Sequence, residues 1–98
     1  MDTFDSAIKQ LAADIAELVI SKQRDYGKGN ILKSPVGVEL GILVRLGDKL
    51  NRLANLLQKN QEPANESLTD SWRDVAGYAL IALMYRSGKF ELPLEKNA

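Results

Sequence analysis

The chain has 98 residues, the length of one domain, and Lys plus Arg and Asp plus Glu both number 13, so its formal net charge is zero. That balance excludes the electrostatic footprint of a binder of duplex nucleic acid or of an anionic membrane. The absence of cysteine and histidine excludes disulfides, thiol catalysis, His-based zinc sites and the commonest general base.

The first residues, Met1 to Asp5, are acidic and are not followed by the apolar run of a secretory signal, and nowhere do 18 apolar residues follow one another. A cytoplasmic protein is expected. Phe4, Ile8, Leu11, Ile15 and Leu18 recur at spacings of four and three, which predicts a helix over about residues 3–23. Thr3 or Ser6 is its N-cap. The segment Arg24-Asp25-Tyr26-Gly27-Lys28-Gly29-Asn30 holds two glycines and an asparagine and reads as a loop.

Ser34-Pro35 reads as an N-cap with proline at the first helical position, opening a second helix over about 35–59. Val36, Leu40, Leu43, Leu50, Ala54 and Leu57 keep one spacing, with Gly47 on the missing beat, and Ile42, Leu46, Leu53 and Leu56 widen the stripe. An apolar arc that wide has to be covered from two sides. A linker containing Pro63 follows. Ser67 with Asp70 three residues on resembles a capping box and opens a third helix over about 67–86. From Val75 to Tyr85 it carries no charge, the pattern of a segment buried in the middle of a bundle. Gly88 suits its C′ position. The tail, 87–98, is expected to be extended, with Phe90, Leu92 and Leu94 free to dock on a partner. The fold class is therefore all-α: three main helices in a single domain, 1–98, completed by oligomerisation because a lone domain this small has marginal core.

Three groups of residues carry candidate chemistry. Glu66, Asp70 and Asp74 are four apart and share a helix face. Their mutual repulsion is relieved by a divalent cation such as Mg²⁺ or by arginines; the plainer reading is a helix N-terminus decorated with acids. Arg45, Asp48, Lys49 and Arg52 form a mixed patch on the second helix, either a solvated ion-paired face or a phosphate clamp. Glycines at 47 and 77 would let the second and third helices approach, bringing these cations to the acids. Lys22, Arg24, Asp25, Tyr26 and Lys28 cluster at the first loop, where glycines free the backbone to meet an anion and Tyr26 is placed to stack on a base. Trp72 and Tyr78 read as core rather than as a ligand platform.

Taken in order, Arg24-Asp25-Tyr26-Gly27, then Arg45-Leu46-Gly47-Asp48-Lys49-Leu50-Asn51-Arg52, then Glu66-Ser67-Leu68-Thr69-Asp70-Ser71-Trp72-Arg73-Asp74-Val75-Ala76-Gly77-Tyr78 resemble a phage-associated family, nucleotide modification associated domain 1, over about residues 5–86. That family is in turn distantly similar to the all-α nucleoside triphosphate pyrophosphatases of the MazG-like and dimeric dUTPase group. This resemblance implies an oligomeric helical bundle and, in that group, Mg²⁺ held by two pairs of acidic residues with a metal-activated water. Asp74 and Tyr78 fall on the group's final D-x-x-x-Y. Ser71 stands where a glutamate would be, and Asp48 is followed by Lys49 and Arg52 rather than by a second acid. These departures weigh against hydrolysis and leave phosphate binding.

The expected function is therefore binding of a phosphorylated nucleotide between the second and third helices and the first loop. Arg45, Lys49 and Arg52 contact phosphate, Tyr26 or Tyr78 contacts base or ribose, and Asp70 and Asp74 bind metal or the nucleotide itself. Sequestration of a nucleotide or cyclic-nucleotide defence signal fits this reading. The alternatives are an Mg²⁺-dependent (d)NTP pyrophosphatase and a helical adaptor for another protein.

Overall fold

The computed structural model describes residues 2–59 and 67–96. Among these the chain is all-helical: α1 Phe4–Tyr26, α2 Gly29–Leu32, α3 Val38–Lys59 and α4 Leu68–Arg86. α4 lies in the middle, with α1 and α3 packed on either side of it and α2 packed on α3. Contacts run from Lys22 to Asp74 and from Val19 to Gly77 on one side and from Arg52 to Ser71 and Glu39 to Arg86 on the other. In both pairings residue numbers fall along one helix as they rise along the other, so α4 is antiparallel to both neighbours.

The helix ends follow local chemistry. Thr3 caps α1, its hydroxyl accepting from the Ser6 N–H while Ser6 Oγ accepts from the Thr3 N–H. Ser67 caps α4, accepting from the Asp70 N–H at 3.0 Å. Removing that acceptor orphans an N–H in the first turn. Ser67→Ala is accordingly expected to cost about 1 kcal/mol, read as a lower urea midpoint with an unchanged slope. α4 ends in a Schellman arrangement: the Gly88 N–H reaches the Tyr85 carbonyl and the Lys89 N–H the Met84 carbonyl, both at 3.0 Å. Gly88 takes φ +74°, where a side chain would be strained.

Two boundaries differ from the sequence expectation. α1 continues through Arg24, Asp25 and Tyr26 and stops only at Gly27, so the expected loop is a helix end followed by the short α2. The second long helix starts at Val38, not Pro35. Ser34 to Gly37 instead forms a turn, closed by the Gly37 N–H on the Ser34 carbonyl, and Gly37 at φ +95° cannot continue a helix. That turn lies against Gly41, where any Cβ would collide with the Ser34 side chain.

The tail also differs. Phe90 is buried with Ile31 and Ile42 in the core cluster, against which Leu46, Tyr78, Ile81 and Ala82 pack. Arg24 donates to the Glu95 carbonyl at 3.1 Å and Lys28 to the Glu91 carbonyl at 2.7 Å. These contacts hold the tail to its own chain, although Leu92 and Leu94 stay exposed.

The arrangement is open, with extents of 43 × 41 × 23 Å and a radius of gyration of 15.2 Å, against about 13 Å for a compact domain of this length. Leu80, Leu83, Met84 and Tyr85 are exposed in the apolar half of α4, which was expected to be buried on every side, and Trp72 is exposed rather than core. α4 packs against α1 and α3 only, and two neighbouring helices leave the rest of its surface uncovered. No helix of the described residues is long and apolar enough to cross a membrane.

Candidate functional site

Residues of α1, α2, α3 and α4 together line a cavity of about 540 Å³, within the range of small-molecule sites. Helical spacing builds its walls. Leu18, Lys22 and Tyr26 are successive turns of α1, Arg45 and Lys49 successive turns of α3, and Arg73, Gly77 and Ile81 successive turns of α4, with Asp74 and Tyr78 beside them. Asn30 and Ile31 of α2 complete the lining.

The electrostatics centre on Asp74. Its carboxylate accepts from Lys22 Nζ on Oδ1 and pairs with Lys49 Nζ on Oδ2, each at 2.9 Å, and its side chain is only 11% exposed. Burial disfavours the carboxylate, yet the hydrogen bonds and charges of Lys22 and Lys49 outweigh that cost and hold the Asp74 pKa below its usual value. A depressed carboxylate contributes stability that is fully present above the unfolded value, near pH 4, and is lost as pH falls through the folded value. The stability difference between the parent and Asp74→Asn should therefore be largest near neutrality and shrink on acidification below about pH 4. Melting curves of the two proteins from pH 7 to pH 2.5 check this; a difference that stayed constant would contradict it.

Four cationic side chains, Lys22, Arg45, Lys49 and Arg73, line the cavity against the single carboxylate of Asp74, so the chamber is electropositive even with Asp74 ionised. Arg45 is braced by donating to the Asn30 carbonyl at 2.6 Å. Arg73 lies 3.3 Å from the Asp70 carboxylate on the outer surface.

Of the residues singled out from sequence, Lys22, Tyr26, Arg45, Lys49, Asp74 and Tyr78 meet at this cavity. Arg52 stands beside it and donates to Ser71 Oγ, a fully buried hydroxyl, at 2.7 Å. Arg24 and Lys28 point to the tail instead; Asp25 and Asp48 are exposed and outside the lining. Glu66 lies outside the described residues. Asp70 and Asp74 share a face but not a site: one meets Arg73, the other the two lysines. Among the described residues no three acidic side chains come together to hold a metal ion, and Asp74 already faces two ammonium groups. Of the acids proposed for Mg²⁺, the two described, Asp70 and Asp74, do not come together as a metal site. Gly77 brings α4 close to α1, where an added Cβ would meet Val19 Cγ2 at 3.3 Å, rather than close to α3. Gly47 faces open space.

Arg73 and Asn30 are cavity residues that the sequence reading passed over. Arg73 was legible in principle, since it precedes Gly77 and Ile81 by one and two turns. Asn30 was not, because its contribution to Arg45 is a main-chain carbonyl.

The geometry defines an all-helical protein with an electropositive, aromatic-edged chamber. Residues 22–85, well over half of the chain, match the family described as nucleotide modification associated domain 1, and the chain belongs to that family. The matched span begins at Lys22 and takes in all five charged residues of the cavity. No curated protein and no solved structure matches the chain.

Proposed function

We propose that the chain binds a phosphorylated nucleotide in the cavity between α1, α3 and α4. The observation that carries this reading is the convergence of Lys22, Arg45 and Lys49 on one chamber of nucleotide size in a protein of a nucleotide-related family. Guanidinium and ammonium groups donate charge-assisted hydrogen bonds to phosphate oxygens. Lys22, Arg45 and Lys49 bind the phosphates. Asp74 keeps the two lysines ordered in the empty site, and a phosphate entering between them takes over part of its role. Tyr26, 66% exposed at the end of α1, stacks on the base, and Tyr78 supports the ribose from the floor. Binding is independent of Mg²⁺, and the protein retains its ligand rather than hydrolysing it. That is the behaviour of a phage-type protein that sequesters a linear or cyclic nucleotide signal.

A thermal-shift screen tests this. Nucleoside mono-, di- and triphosphates, cyclic mono- and dinucleotides and inorganic phosphate are each added with Mg²⁺ and with chelator. A ligand at 100 times its dissociation constant adds about 2.7 kcal/mol, or roughly 10–20 °C for a domain of this size. At least one nucleotide should raise the melting temperature equally with and without chelator. No shift with any nucleotide, or the same small shift with inorganic phosphate alone, would overturn the reading.

A further inference from the structure

The site just described uses one side of α3; the other side carries an apolar seam that the chain leaves uncovered. Val36, in the turn before the helix, then Leu40, Leu43, Gly47, Leu50, Ala54 and Leu57 follow one another at spacings of four and three without a break. This is the heptad pattern of a helix that packs along another helix. It is separate from the row that packs inward: Ile42 and Leu53 are only 2% exposed, whereas the large seam residues are 48–61% exposed. At about 100° per residue the two rows lie roughly a quarter turn apart, and Arg45 and Lys49 fall on the far side of the inward row, so an occupant of the seam leaves the cavity open.

We propose that the occupant is a second copy of this chain, with two α3 helices packed antiparallel and crossing at Gly47. Two features choose the copy over a foreign partner. The seam is self-complementary about Gly47: Leu40 and Ala54 lie seven residues to either side, Leu43 four before and Leu50 three after. A two-fold axis there sets Leu43 against Leu50 of the other copy and the larger Leu40 against the smaller Ala54, which is what an isologous interface requires. A parallel pairing would instead stack Ala54 on Ala54 and align the helix dipoles unfavourably. The second feature is area. The chain exposes 7498 Å², whereas a folded monomer of its mass exposes about 5,500 Å²; the excess, about 2,000 Å² per copy or about 4,000 Å² for a pair, lies within the total that permanent homodimers bury, and the seam supplies part of it. Gly47 then has its explanation. It sits mid-helix, where glycine is costly, with nothing of its own chain within 4 Å of an added Cβ; at the crossing point it lets the two backbones approach.

The chain lacks cysteine, which makes the test direct. Leu43→Cys, Leu50→Cys and the double variant are oxidised at micromolar concentration, and covalent dimer is read on a denaturing gel. Seven residues of helix span about 10 Å, too far for a disulfide within one chain. The double variant should give covalent dimer as its main product and each single variant little, because the axis holds position 43 away from its own copy. Light scattering of the parent should give at least twice 10.8 kDa, and Leu43→Glu, with helix content unchanged by circular dichroism, should shift it at least tenfold towards monomer. A parent mass of 10.8 kDa, efficient self-crosslinking of either single variant, or no crosslink in the double variant would overturn the proposal. If Leu43→Glu loses its helix content, the crosslinks and the parent mass decide.

Discussion

Replacing Gly77 by leucine is expected to lower the melting temperature by roughly 10–20 °C, a loss of about 2–3 kcal/mol. Gly77 is buried on α4 at the point where α1 crosses it, and a methyl group there already approaches Val19 Cγ2 to 3.3 Å. Leucine adds three more carbons in that direction, and α1 has to move outward. Helix propensity favours leucine by up to about 1 kcal/mol, so any measured loss understates the steric cost. Gly29→Ala is the control. An added methyl there meets only the Lys33 side chain, at 3.5 Å, an ordinary contact with a flexible chain, and stability should change by less than about 0.5 kcal/mol. Denaturant unfolding of the two variants checks both. Equal stability would mean that α1 and α4 do not cross closely at Gly77. Because Lys22 and Tyr26 ride on the displaced end of α1, nucleotide binding should fall with the same substitution.

The second large effect concerns the two lysines. Lys49→Ala should weaken nucleotide binding by about 10- to 100-fold, the worth of one charge-assisted hydrogen bond of roughly 1.5–3 kcal/mol. Lys22→Ala should weaken it less, since its side chain is 46% exposed against 24% for Lys49. The double change leaves the Asp74 carboxylate without its two ammonium partners, and the protein should lose stability as well as binding. Adding Asp74→Asn removes the stranded charge. The triple variant should therefore recover stability but not binding. Melting temperature and affinity measured on the same samples separate the two roles: if binding returned with stability, the lysines would act only through the fold.

The parts of this structure that sequence made legible are those governed by local chemistry. Thr3 and Ser67 cap the predicted helix starts, and Gly88 ends α4, because a cap depends on a few adjacent residues. Pro35 misled because its suitability for the first turn says nothing of Gly37, two residues on, whose positive φ delays the helix to Val38. The structure brings Lys22 of α1, Arg45 and Lys49 of α3 and Asp74 of α4 to one cavity, as their helical spacing allowed. Their pairing was not legible. Sequence brought the cations of the second long helix to the acids of the next without saying which cation meets which acid: Lys49 takes the place at Asp74, and Arg52, one turn on, reaches Ser71. Periodicity gives each helix its face but not the register between antiparallel neighbours, and one turn of slip exchanges Lys49 for Arg52. The same gap explains Gly77, whose neighbour is α1. It also explains Trp72 and Leu83, apolar residues that a single chain leaves exposed.

The central claim, that this cavity is a nucleotide site, is tested most directly by calorimetric titration. The nucleotide giving the largest thermal shift is titrated in chelator into the parent and into the Lys22→Ala, Lys49→Ala, Asp74→Asn triple variant. The expected result is saturable binding of one nucleotide per chain by the parent and at least a 100-fold weaker affinity in an equally stable triple variant. Binding unchanged by the triple substitution, or no heat from any nucleotide with the parent, would contradict it.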